Sequence, residues 1–170
     1  HLVEDDFNAA IATCRLFNRL YPESPFVDQA LLGIGKILLE NDEWREAINI
    51  FRQIINLPNS MVKAEAQFMI AKAIEDNEQR RPEELAIKEY KACAERYPDS
   101  QYAGISLAKL IDYYIKQRDY MTANDMLDQV FQDYPDAEFL DSMLLKWVLV
   151  SYRMGDFEKA AEKCQQLMFE

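Results

Sequence analysis

The stretch "RYPDSQYAG", residues 96–104, has three relatives in the same chain, and this recurrence constrains the fold more than any other feature. "LYPESPFVD" begins at Leu20, "DYPDAEFLD" at Asp133, and a degraded copy, "NLPNSMVKA", at Asn56. Aligned on Pro22, Pro58, Pro98 and Pro135, the copies stand 36, 40 and 37 residues apart. A second mark is an alanine closing a short polar phrase: "DDFNAA" at Ala10, "DEWREA" at Ala47, "PEELA" at Ala86, "RDYMTA" at Ala123 and "GDFEKA" at Ala160. These alanines are spaced 37, 39, 37 and 37 residues. Self-similarity at this period is the signature of a solenoid, in which each unit stacks on its neighbours.

Each period holds two helices. Phe157, Ala160, Ala161, Cys164, Leu167 and Met168 keep the three-and-four spacing of one helical face, as do Val3, Phe7, Ala10, Ile11, Cys14 and Phe17. Leu144, Trp147, Val148, Ser151 and Tyr152 mark the first helix of a unit, and short polar turns ("ENDE", "KQRD", "MGD") separate the two. The proline phrase is the link between units. Proline lacks an amide hydrogen and disfavours α conformation in the residue before it, so Tyr-Pro ends a second helix. The Asp, Glu or Ser that follows favours a turn or an N-cap.

Composition agrees. Apolar residues are 49% and charged residues 29%, which is globular, and four glycines without Asn-Gly or Asp-Gly argue against an all-β fold. No apolar run approaches the ~20 residues of a membrane span. A net charge of −11 makes nucleic acid an unsuitable partner. The single histidine, His1, leaves no Cys–His or Ser–His pair for catalysis and no zinc set. No cofactor or metal is expected. Cys14, Cys93 and Cys164 are read as small apolar residues on inner faces of second helices.

The segment "LLKWVLVSYRMGDFEKAAEKCQQL" resembles the tetratricopeptide repeat. The Pro-x-Ser-x-aromatic link and the period resemble the repeats of bacterial cell-envelope proteins, among them the Tol-Pal-associated repeat protein and the lipoprotein of the outer-membrane barrel-assembly machinery. The resemblance covers essentially the whole chain. It implies an all-α, right-handed α-solenoid of antiparallel helix pairs, about nine helices in all. The layout is a single array, 1–170, excised from a longer protein: a partial repeat (1–21) and whole repeats at 22–57, 58–97, 98–134 and 135–170. The turn glycine of the family is present only as Gly155; Asn41, Asp76 and Gln117 are taken as its counterparts. Pro82 suits the first turn of its helix after an extended "EDNEQRRPEE" loop.

By the same resemblance, first helices line a concave face on which partners dock. The function implied is a non-enzymatic scaffold binding a protein or peptide there, in cell-envelope assembly. Localisation is then periplasmic or outer-membrane-associated, with a cytoplasmic protein as the alternative. An accessory segment of a larger enzyme and a structural or self-associating (homo-oligomer) module are the other readings. Lys36, Lys72, Lys109 and Lys146 fall one per first helix, and Lys116 and Arg153 extend them, which fits an acidic partner segment. Phe68, Met69 and Tyr152, with Leu32 and Leu145, are candidate apolar contacts. The ordinary alternatives are solubilising lysines and core side chains.

Overall fold

The computed structural model describes residues 2–77, 82–136 and 139–169. Among them are nine helices and no strand: α1 (Leu2–Leu20), α2 (Val27–Glu40), α3 (Trp44–Asn56), α4 (Lys63–Asn77), α5 (Pro82–Arg96), α6 (Gln101–Lys116), α7 (Tyr120–Asp133), α8 (Leu140–Met154) and α9 (Phe157–Phe169). Within "EDNEQRRPEE", residues 78–81 lie outside the described residues, while Pro82 opens α5 with Glu83 and Glu84 in its first turn. Acids there complement the partial positive charge of the exposed amides. Two compact units result, 1–96 and 97–170.

Unit 1 holds α1 to α5, each helix packed on the next. Its core is the face that the spacing marks: Leu31, Ile34 and Leu38 of α2 against Ala47, Phe51 and Ile54 of α3, then Ala66, Ile70 and Ile74 of α4. Burying side chains of this size contributes about 1.5–3 kcal/mol each. Ala47, Ala66 and Ala86 are buried, so small residues let the helices cross closely. Gly35 does the same for one large neighbour. A Cβ there would stand 2.2 Å from the Phe51 ring, so the ring fills the space that the glycine leaves. Unit 2 holds α6 to α9, cored by Leu110, Ile111, Ala123, Leu127, Val130, Trp147 and Val150.

The turns inside the helix pairs correct one sequence assignment. The left-handed residue is Gly155 (φ 82°) in the last pair, and its counterparts are Asp42 (φ 61°) and Arg118 (φ 63°), one position after Asn41 and Gln117. All three turns close with the same paired bonds. Glu43, Asp119 and Asp156 donate their amides to Leu38, Tyr114 and Ser151, while Asp42, Arg118 and Gly155 donate theirs to Leu39, Ile115 and Tyr152. This is the Schellman arrangement, which satisfies the last carbonyls of a helix. An Asp or an Arg held in left-handed geometry costs about 1–2 kcal/mol relative to glycine.

The links behave as their composition predicts. Ser100 accepts from the Tyr102 amide at 3.0 Å to cap α6, and the Tyr134 hydroxyl of the next link donates to the Pro98 carbonyl at 2.6 Å. In unit 1 the tie is Asp28, whose buried carboxylate accepts from the Ser60 hydroxyl at 2.9 Å and the Met61 amide at 3.1 Å. One cysteine departs from expectation. Cys93 is buried and Cys14 partly so, but Cys164 is exposed. Its counterpart at the same distance after the alanine mark is Phe51, which is buried in a unit where α4 packs on α3.

Candidate functional site

The first helices of unit 1, α2 and α4, carry Lys36 and Lys72 at the same distance after their prolines, and both are exposed. Lys36 Nζ lies 2.7 Å from Glu65 Oε1, so an ion pair bridges α2 to α4. Met69 is half-buried one turn before Lys72. Phe68 turns towards α5, its ring 5.6 Å from that of Tyr90, and Leu32 belongs to the core. Tyr90 is buried and donates to Glu75 Oε2 at 2.7 Å. Burial first, and then the hydrogen bond to that carboxylate, push its phenol far above the ordinary tyrosine range.

On α6 in unit 2 the polarity at that position is reversed. Asp112 stands where Lys36 stands in its own repeat, and Lys146 Nζ lies 2.5 Å from its Oδ1. Lys109 is half-buried, while Lys116 and Arg153 are exposed at the ends of α6 and α8. Tyr152 leaves this basic group. Its ring meets Phe157 at 5.6 Å and, with Leu145, Leu149 and Cys164, lines an apolar groove of about 590 Å³ between α8 and α9. Of the repeat-spaced lysines, Lys36 and Lys146 are thus engaged with the carboxylates of Glu65 and Asp112. Exposed pairs contribute only about 0–1 kcal/mol, so their effect is to lower the positive potential offered to a partner.

The opposite, second-helix side carries contacts that the sequence analysis missed. In unit 1, Arg15 of α1 pairs with Glu46 of α3 over a groove of about 620 Å³, with Leu31, Ile34 and Ile50 at its floor and Arg45, Asn49 and Gln53 along α3. In unit 2 the same register positions hold Asp128 and Lys159, 3.5 Å apart, with the charges exchanged. Trp147 occupies the position of Ile34. It stacks 4.7 Å from Phe131, donates its indole N–H to Asn124 Oδ1 at 3.0 Å, and lies beneath Lys159 and Lys163 at 4.9 and 4.2 Å. The exchange of Arg15 and Glu46 for Asp128 and Lys159 was available in the aligned repeats.

Among the described residues no group of His, Cys, Asp and Glu is placed to hold a metal, and no helix is long and apolar enough to cross a membrane. What the surface offers is helix faces bearing charge and apolar grooves. Helix pairs repeating at this period, with alanines at their crossings, define a tetratricopeptide-like helical-repeat protein. Solved structures agree: the crystal structure of MamA protein aligns with 98% of this chain and 83% of its own at a TM-score of 0.62 and 16% identity. A Podosopora anserina kinesin light chain with tetratricopeptide-like repeats aligns with 97% and 87% at 0.59 and 13% identity.

Within that class, residues 1–167 match the family model YfiO, outer membrane lipoprotein, and the chain belongs to that family. A curated relative is the outer membrane protein assembly factor BamD of Neisseria meningitidis serogroup A / serotype 4A (strain DSM 15465 / Z2491). It is 23% identical over 175 residues, which take in 94% of this chain and 57% of the relative. The chain therefore spans little more than half the length of that protein.

Proposed function

We propose that this chain is a non-enzymatic scaffold of the bacterial cell envelope, on the periplasmic side of the outer membrane, that docks a segment of a partner protein on its first-helix side. Membership of an outer membrane lipoprotein family supports the location, and similarity to a protein named as an assembly factor supports the role. The observation that carries the docking face is Lys72, exposed on α4 at the register position that Lys36 holds on α2 beside Glu65, in a protein of net charge −11. Cationic side chains placed this way favour an acidic segment, steering its approach more than they add affinity.

The experiment is co-purification from the envelope fraction with the wild type and with a Lys36→Glu/Lys72→Glu variant. The variant should lose its partner, and the wild-type complex should weaken as salt screens charges over about 8–10 Å. Its stability should fall by about 1 kcal/mol, since Lys36→Glu removes the ion pair with Glu65. An unchanged partner profile would defeat the proposal for this face.

A further inference from the structure

One stretch of unit 1, α1 from Phe7 together with α3, is locally basic in a strongly acidic chain. From Phe7 to Leu20 and along α3 the charged residues are Arg15, Arg19, Arg45 and Arg52 against Glu46 alone. Arg15 and Glu46 pair across α1 and α3, and the Arg45 guanidinium is stacked 4.1 Å from the Trp44 ring. Of these, Arg15 and Arg45 line the groove between α1 and α3, whose floor is formed by the buried Leu31, Ile34 and Ile50. We propose that this groove is a second docking site, for an extended acidic segment of a protein partner that sets an apolar side chain between its carboxylates. The proposal does not depend on the first-helix reading.

Three observations carry it. First, the charge is complementary: beyond the neutralised Arg15–Glu46 pair, Arg45 lines the groove, and Arg19 and Arg52 stand on the same two helices of a strongly acidic protein. Guanidinium groups match carboxylates in a planar, bidentate geometry. Second, the groove walls carry the carboxamides of Asn18, Asn49 and Gln53, each able to donate and to accept along a peptide backbone. Asn18 Oδ1 is buried with no hydrogen-bond partner, so this wall has an unanswered acceptor. Third, the chain itself shows what fills such a groove. In unit 2 the position of Ile34 is Trp147 and that of Asn18 is Phe131, and their stacked rings lie under two lysines. In unit 1 the smaller Ile34 is fully buried, and with Asn18 where the second ring would stand a groove of about 620 Å³ lies above it.

The test is fluorescence anisotropy with a labelled peptide alternating glutamate and leucine, and a control with lysine in place of glutamate. The acidic probe should bind the wild type more weakly as salt rises. Affinity should fall about tenfold in Arg45→Glu, and similarly in Ile34→Trp, which closes the groove as Trp147 closes its counterpart. Should Ile34→Trp fail to fold, the exposed Asn49→Glu tests the same wall and should also weaken binding. Lys36→Glu/Lys72→Glu should change affinity less than about twofold. Failure of the wild type to bind, equal binding of the lysine control, or wild-type affinity in both Arg45→Glu and Asn49→Glu would overturn the proposal. So would loss of binding confined to the lysine variant, which would assign the acidic probe to the first-helix side.

Discussion

The α1–α3 groove of unit 1 and the α7–α9 groove of unit 2 are built on one frame and put it to opposite uses. Both have a bridging ion pair at the same two register positions, Arg15–Glu46 in one and Lys159–Asp128 in the other, with the charges exchanged. One leaves a groove above the buried Ile34; the other is filled by Trp147, covered by Phe131 and two lysine side chains. Repeats therefore conserve the backbone frame and vary what stands on it. In a solenoid this is how one unit can serve stability while another offers a surface.

The largest test of that contrast is truncation of the two floors. Trp147→Ala removes a ring stacked on Phe131 and hydrogen-bonded to Asn124, and should cost about 3–5 kcal/mol in chemical denaturation. Ile34→Val removes a single carbon from a smaller, fully buried side chain, and should cost about 0.5–1.5 kcal/mol. Equal costs would mean that the two grooves are packed alike.

Next comes the position four after the alanine mark, Tyr90 in unit 1 and Leu127 in unit 2. Both are buried, but Tyr90 carries a hydrogen bond to Glu75. Tyr90→Phe should lose about 1.5–3 kcal/mol, the range for hydrogen bonds to charged groups. It should also change the alkaline limb. The folded phenol titrates higher than the unfolded one, so its contribution is complete below the unfolded value of about 10 and is lost as pH rises above it. The difference in stability between wild type and Tyr90→Phe should therefore shrink on raising the pH beyond that point; a pH-independent difference would contradict the assignment.

A third comparison concerns a volume exchange. Gly35 faces Phe51 in unit 1, and Val148 and Cys164 occupy the same register positions in unit 2. Gly35→Ala should overpack the Phe51 ring and cost about 1–3 kcal/mol. Phe51→Cys in the same molecule should offset part of that loss, a coupling that a double-mutant cycle reads directly. The smallest effect is expected at the turns: Arg118→Gly and Asp42→Gly should each stabilise by up to about 1 kcal/mol by relieving left-handed geometry that Gly155 adopts without strain. Destabilisation by either would mean that the side chain matters more than the backbone.

The helices were legible because their evidence is periodic. Prolines and alanines spaced near 37 residues marked the links and crossings, and apolar spacing marked the faces. Details that depend on a single partner were less so. The left-handed residue could not be read at Asp42 or Arg118, because neither residue type advertises positive φ as glycine does. Asp28 looked like one more acid in a first turn, yet it is buried and ties α2 to the next link. The lysine spacing was plain in the sequence, but not that Lys36 and Lys146 would meet Glu65 and Asp112, since such pairs depend on which rotamers face across neighbouring helices. The second-helix groove was not legible in the lysine spacing; its signal lay in exchanged charges and in Trp147 replacing Ile34.

The chain has two tryptophans, one beside each groove: Trp44 under Arg45 at the open one, and Trp147 filling the closed one. Emission from Trp147→Phe reports Trp44 alone, and emission from Trp44→Phe reports Trp147 alone. Titrating both variants with the glutamate–leucine peptide asks directly whether the two repeats have diverged into a docking surface and a packed one. The account predicts a saturable, salt-sensitive change at Trp44 and none at Trp147. A change at Trp147 with Trp44 silent, or silence at both, would contradict it.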